Sequence, residues 1–168
     1  MGSPREPDHV RLIAGLLVSS PDLLAEVHGL LAEAFSPVEG YSEPQPWTVS
    51  DYYAAEMGDH LWRQFVSCRD RMRADQLGAI KLRTNALEGR WRDARGRRVN
   101  IDPGYLAPLK LVLATTKDAA HRIYIGDGIF AEVTLRYEHG TFRRCEHTYP
   151  DYAAPEAIAF FNRVRRRG

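Results

Sequence analysis

The chain has 168 residues, 44% of them apolar and 27% charged, a length and balance that suit one domain with its own core and exclude intrinsic disorder. Its 23 basic and 22 acidic residues leave a formal net charge of +1, which argues against a dedicated nucleic-acid binder with its usual basic excess. The longest apolar run, residues 12–18, is far too short to span a bilayer.

In chain order, residues 1–8 are polar and proline-rich and read as a frayed end. Residues 9–18 are nearly continuous in apolar side chains, which predicts a central strand buried on both faces. Ser20-Pro21 then starts a helix, Leu24, Val27, Leu31 and Ala34 repeat at helical spacing, and Ser36-Pro37 stops it. Residues 38–49, interrupted by Pro44 and Pro46, suit an edge strand. Ser50-Asp51-Tyr52-Tyr53 begins a short helix that Gly58 can close. The next strand is 61–69, with Trp62, Gln64 and Val66 alternating against Leu61, Arg63 and Phe65. The longest helical pattern is 75–92, with Leu77, Ile80, Leu87 and Trp91 on one side; Arg95-Gly96-Arg97 turns the chain into a short strand at 99–101.

This order, β-α-β-β-α-β, predicts an α+β fold with a ferredoxin-like core, two helices lying on one face of an antiparallel sheet. Ala107-Pro108 reads as the start of a further helix through Leu109, Val112 and Leu113 to Thr116. A C-terminal β-hairpin follows, 121–125 and 129–137 around Gly126-Asp127-Gly128, and Glu138-His139-Gly140 turns into 141–145. Pro155 opens a terminal helix, and residues 1–168 are expected to form a single domain.

The general signatures of chemistry are missing from the sequence: GxxxxGK[ST], GxGxxG, HExxH, GxSxG and paired CxxC. His139-Gly140-Thr141 matches a phosphoesterase HxT triplet, but the second triplet that chemistry needs is absent, so it reads as a turn. His28, His60 and His147 have no ligand-like companions, and neither a metal site nor a cofactor is expected. Cys68 and Cys145 lack metal-ligand spacing and predict two reduced thiols in a cytoplasmic protein. Residues 1–6 carry no apolar signal core, and Glu6 stands where a myristoylation site needs Ser or Thr.

Polar residues gather beside turns. The segment 100–105 puts an amide, a carboxylate (Asp102) and a phenol (Tyr105) at a strand end; Asp102 before proline is equally a standard turn former. Thr115-Thr116-Lys117 is followed closely by His121-Arg122, a set able to grip a phosphate or carboxylate, while Lys117 equally suits a helix C-terminus. On the second hairpin strand Ile129, Ala131, Val133 and Leu135 share one face, with Phe130, Glu132, Thr134 and Arg136 on the other. The hairpin register sets Arg122 across from Glu132, as an ion pair or as part of a site. Segments 100–105, 115–122 and 130–136 are expected to converge, bringing Asp102, Tyr105, Lys117, His121, Arg122, Glu132 and Thr134 around one pocket. Lys81, Asn85 and Glu88 fall on one helical face and read as solvated. Tyr149-Pro150-Asp151-Tyr152 and Asp51-Tyr52-Tyr53 each suit a helix cap or the rim of an opening for a ring-bearing ligand. The closing RVRRRG reads as a solvated helix end.

The runs VRLIAGLLVSS (10–20), SDYYAAEMG (50–58), KLRTNALE (81–88), RVNIDPGYLAPLKLVLATTKDAAHRIYIGDGIFAEVTL (98–135) and TYPDYAAPEAIAFFNRVR (148–165) resemble domain-of-unknown-function family 4416 over nearly the whole chain. The resemblance implies a cytosolic bacterial protein of about this length with no assigned activity and no catalytic residues to carry over. Relatives sometimes carry the label GTP-binding protein; here the GTPase signature loop is missing, and Thr116-Lys117-Asp118 is one residue short of NKxD.

Two main readings of function stand side by side. One is a domain or small enzyme that handles a small anionic, nucleotide-like ligand, with Lys117 and Arg122 neutralising it and His121 or Glu132 available to move a proton. The other is a non-catalytic interaction module that self-associates through an open sheet edge, giving a homo-oligomer. A weaker third, an RNA-associated domain, lacks the aromatic ribonucleoprotein motifs. No membrane partner is expected.

Overall fold

The computed structural model describes residues 2–167. Strand β1 (Val10–Val18) is buried along all nine residues and lies between β4 (Trp62–Met72) and β5 (Val99–Ala107), antiparallel to both. A run apolar on both faces needs such a central place. Residues 2–9 ahead of it are exposed and without regular structure.

Ser20 caps a short 3-10 turn through its side-chain oxygen, with Pro21 first in the turn, and α1 (Leu24–Ala34) continues it. Strands β2 (Val38–Tyr41) and β3 (Gln45–Pro46) are short pieces laid along β4, as the prolines dictate. The single turn α2 (Ala54–Met57) ends at Gly58, and α3 (Leu77–Glu88) is flanked by 3-10 turns at 74–76 and 89–91.

The expected helix at 107–116 is a strand. Chain β5 runs to Ala107, Pro108-Leu109 forms a two-residue turn, and β6 (Lys110–Thr115) returns antiparallel with Ala107 opposite Lys110. A short apolar run such as Leu111-Val112-Leu113-Ala114 suits either state by periodicity, and here burial on both sides of a sheet decides it. The Asp102-Pro103 pair, expected at a turn, lies inside β5 instead.

Strands β7 (Ile123–Gly126), β8 (Ile129–Glu138) and β9 (Thr141–Arg144) complete an open, wholly antiparallel sheet ordered β2-β4-β1-β5-β6-β8-β7, with β3 on β4 and β9 on β8. His139 and Gly140, both at positive φ, link β8 to β9 in a tight turn.

Core residues lie on both faces of this sheet. Leu16 and Val18 meet Val27 and Leu31 of α1, and Leu12 meets Ile80 of α3. On the opposite face Ile13, Leu113 and Leu135 pack against Phe160, Phe161 and Val164 of α4 (Pro155–Arg166). Two helices thus share one face, while the terminal helix takes the other. The face assignment of β8 needs one correction. A register shift opposite Leu111-Val112 makes Thr134 an extra residue, so Leu135 joins the α4 cluster while Ile129, Ala131 and Val133 stay on the α3 side.

Candidate functional site

Strand β5 pairs with β1 along its whole length but with β6 at residues 104–107 alone, whereas β6 pairs with β8 as far as Thr115. Past the Gly104–Leu113 pair the two strands part, and the sheet opens into a cleft holding a cavity of about 490 Å³. Asn100 and Asp102 wall it on one side, Ala114, Thr115 and Lys117 on the other.

The parted edge of β5 would leave backbone groups orphaned, and α3 supplies their partners. Glu88 accepts the Ile101 N–H at 2.7 Å, and Lys81 donates to the Ile101 carbonyl at 3.2 Å. Backbone groups alternate sides along a strand, so Pro103 faces the same split as Ile101. A proline inside this strand is tolerated there because no neighbouring strand asks for its N–H. Of Lys81, Asn85 and Glu88, expected in solvent, Lys81 and Glu88 are buried and Asn85 is half-buried at the cavity wall; Lys81, Thr84 and Glu88 extend the inward-facing row that begins at Leu77. That spacing, four, seven and eleven residues after Leu77, was the available signal.

Glu88 is also held by Arg97 at 2.7 Å, and Arg97 grips Glu56 of α2 with two bonds of 2.8 and 2.9 Å. Burial pushes the Glu88 carboxyl above its ordinary range, opposed by the Ile101 N–H and Arg97. Gly96, at φ 144, lets this turn approach α2, since a Cβ there would stand 2.8 Å from the Glu56 carbonyl oxygen.

On the opposite face of the sheet Arg63 is buried among the rings of Trp47, Phe65 and Tyr152, 5.0, 5.7 and 5.8 Å from their centroids. Its Nε lies 2.8 Å from Asp151 Oδ2 and its Nη1 3.7 Å from Asp102 Oδ2. Neither contact is aligned as a hydrogen bond. Arg63 Nε and Nη1, both Asp151 carboxylate oxygens and the Tyr152 hydroxyl have no hydrogen-bond partner among the described residues. Burial raises the Asp151 pKa, with Arg63 pulling against it, and raises that of Tyr152. Gly15 of β1 makes the room: a Cβ would stand 2.3 Å from the Tyr152 hydroxyl.

Asp102 is the hub of the cleft. Asn100 donates to it at 2.9 Å, while Lys81 and Arg63 stand at 3.6 and 3.7 Å, within ion-pair range but beyond a hydrogen bond. Its side chain keeps 26% exposure. Across the cleft Lys117 makes no ion pair among the described residues; its ammonium sits 4.3 Å from the Tyr52 ring centroid and donates to the Tyr52 hydroxyl.

Of the seven residues expected at one pocket, Asp102, Lys117 and Glu132 line this cavity. Arg122, His121 and Thr134 gather around the buried Glu132 carboxylate at 2.7, 3.2 and 3.4 Å. Arg122 also donates to the Lys117 carbonyl at 2.9 Å and to the Tyr149 hydroxyl at 2.8 Å, so it braces the segment that carries Lys117. Tyr105 lies on the α3 side, packed with Leu77 and Val112 away from the cleft. Both aromatic-acid clusters reach the cavity, through Tyr52 and Tyr53 and through Tyr149, Asp151 and Tyr152. In the sequence Arg63 falls within ordinary strand alternation, and a cation on the same face as Leu61 and Phe65 is the one sign there of a buried charge.

Fold and cavity define a mixed helix-and-strand domain whose antiparallel sheet is cut by a polar cleft. The chain belongs to DUF4416, a domain of unknown function, whose family model matches residues 8–167. No curated protein and no solved structure matches it significantly. Among the described residues, no helix is long and apolar enough to cross a membrane.

Proposed function

We propose that the cleft between β5 and β6 binds a small, ring-bearing anion of nucleotide-like character. Lys117, which among the described residues has no carboxylate partner, takes the anionic group, with Arg63 and Lys81 adding positive potential behind it. Asp102 faces Lys117 across the cleft and accepts a donor group of the ligand. Trp47, Tyr52 and Tyr53 offer ring faces at the mouth. The reading rests above all on the parted strands: a central sheet gap lined by buried charges, with Arg63 ion-paired to Asp151 and Asp102 but making no aligned hydrogen bond from Nε or Nη1 among the described residues, is costly unless something polar enters it.

A thermal-shift screen against mononucleotides, sugar phosphates and dicarboxylates tests it. A ligand at a hundred times its Kd stabilises by about 2.7 kcal/mol. Lys117→Ala should abolish the shift and leave the free protein's melting temperature within about two degrees, since a surface substitution costs within roughly 0.5 kcal/mol. A shift retained in Lys117→Ala, or none with any of the three classes, overturns the reading.

The finer features of the fold belong to the same proposal. The strand order β2-β4-β1-β5, threaded with α1 and α3, supports a ferredoxin-like split unit, with β6 to β9 added at its β5 edge. The unpaired thiols of Cys68 and Cys145 support a reducing, cytoplasmic setting.

A further inference from the structure

The cavity has an inner end beyond Lys117, and a row of rings leads to it. The Lys117 ammonium is 4.3 Å from the Tyr52 ring centroid, Tyr52 is 5.0 Å from Tyr53, and Tyr53 is 6.1 Å from Trp47. Trp47 in turn is 5.0 Å from the Arg63 guanidinium carbon. All five residues line the same cavity, and the row passes from Tyr52, 65% exposed, to Arg63, 7% exposed. A flat ligand laid along this wall spans from an exposed ammonium to a buried guanidinium.

At the buried end Asp151 and Tyr152, from the turn before α4, join Arg63 at 8% and 1% exposure. Arg63 Nη1 and the Tyr152 hydroxyl both stand over Gly15, the two nearest atoms to any Cβ built there. Among the described residues Arg63 Nε and Nη1, both Asp151 oxygens and the Tyr152 hydroxyl make no aligned hydrogen bond, though Nε is 2.8 Å from Asp151 Oδ2. An ion pair so buried repays its desolvation only when its remaining N–H groups and lone pairs are bonded. Two features define the group that would complete it. Open N–H donors stand beside open carboxylate acceptors, so the group must accept and donate at neighbouring atoms. A second anion would meet the carboxylates of Asp151 and Asp102, and a cation would meet Arg63 and Lys81, so the group must be neutral.

We propose that Arg63, Asp151 and Tyr152 read the polar edge of a nitrogen heterocycle, an N–H beside an acceptor, as on a nucleobase. The acceptor meets Arg63 Nη1, the N–H meets Asp151, and the Tyr152 hydroxyl turns to serve either. The inference rests on the anion-binding reading of the cleft and adds the chemistry of the ligand's other end. A plain aromatic ring placed there would leave both charges without hydrogen bonds, and a site built around an N–H rejects an analogue that lacks it.

Isothermal titration calorimetry of the full chain tests the proposal. Adenosine monophosphate is compared with purine riboside monophosphate, and uridine monophosphate with its ring-N-methylated form; each analogue keeps ring and phosphate but has no N–H on that edge. At least one parent should bind about tenfold or more tightly than its analogue, a difference of 1.4 kcal/mol. Asp151→Asn should narrow that gap by at least about threefold, because a neutral amide accepts less strongly than a carboxylate. A merely structural role for Asp151 would weaken parent and analogue alike. Circular dichroism checks the fold; if Asp151→Asn is unfolded, Tyr152→Phe carries the same test. Parents and analogues that bind equally, or a gap left as wide in the folded variant, would overturn the proposal and leave the anion site at Lys117 standing. No binding by any of the four would overturn the cleft reading itself, and this one with it.

Discussion

Glu88 of α3 stands where a neighbouring strand would stand, its Oε1 accepting the Ile101 N–H at 2.7 Å. A side chain here imitates a strand and lets β5 part from β6. Glu88→Ala should therefore cost about 3 kcal/mol, because it orphans a buried N–H and strips Arg97 of a buried partner. Glu88→Gln keeps an oxygen for Ile101 and should cost clearly less. Urea denaturation of both variants measures the difference; equal losses would show that the charge on Arg97, not the imitation of a strand, carries the energy.

The Tyr152 hydroxyl is buried with no hydrogen-bond partner among the described residues. Removing it should not harm the fold, and Tyr152→Phe is expected to be as stable as the native protein or more so by about 1 kcal/mol. Gly15→Ala should be strongly destabilised, since the added methyl would overlap that hydroxyl. The double variant should recover part of the loss, a coupling visible in a double-mutant cycle of melting free energies.

The Glu56 carboxyl is held below its ordinary value of 4.5, first by the hydrogen bond from Arg97, with burial opposing. A carboxylate whose folded pKa is lowered adds stability that is complete above its unfolded value and disappears as pH falls through the folded one. Glu56→Gln should accordingly be less stable than the native protein at neutral pH, and the two should converge in acid. Denaturation curves across that range check the sign; a gap that widens toward acid would contradict it.

Cys68 of β4 is buried in a cluster with Leu12 of β1 and Ile80 of α3, and burial pushes its thiol up to about 11. Cys145, at the end of β9, is half-buried. A thiol reagent applied to the native protein should modify Cys145 first and reach Cys68 only on unfolding, as peptide mapping by mass spectrometry would show.

Much of the architecture was legible because it follows from local pattern. The unbroken apolar run at 10–18 could satisfy both its faces only in mid-sheet, and Gly126-Asp127-Gly128 and His139-Gly140 could hardly be other than tight turns. The run after Pro108 misled because four apolar residues fit a helix as well as a doubly buried strand. Face assignment on β8 failed at Thr134 for a related reason: an extra residue in one strand leaves no mark in its own alternation.

The sequence by itself determined which residues are polar, that 10–18 is a strand buried in mid-sheet, and that Arg122 lies across from Glu132 in a short hairpin. Only the tertiary structure decided that β5 and β6 part. That separation depends on Glu88 and Lys81 meeting Ile101 from a helix 13 and 20 residues away in sequence. It also decided that Arg63, from another strand, reaches Asp102 near the same gap. Local pattern reports the burial a segment wants. Which charges become each other's neighbours depends on how distant elements pack, and there the polar residues of one helix became the wall of a cleft.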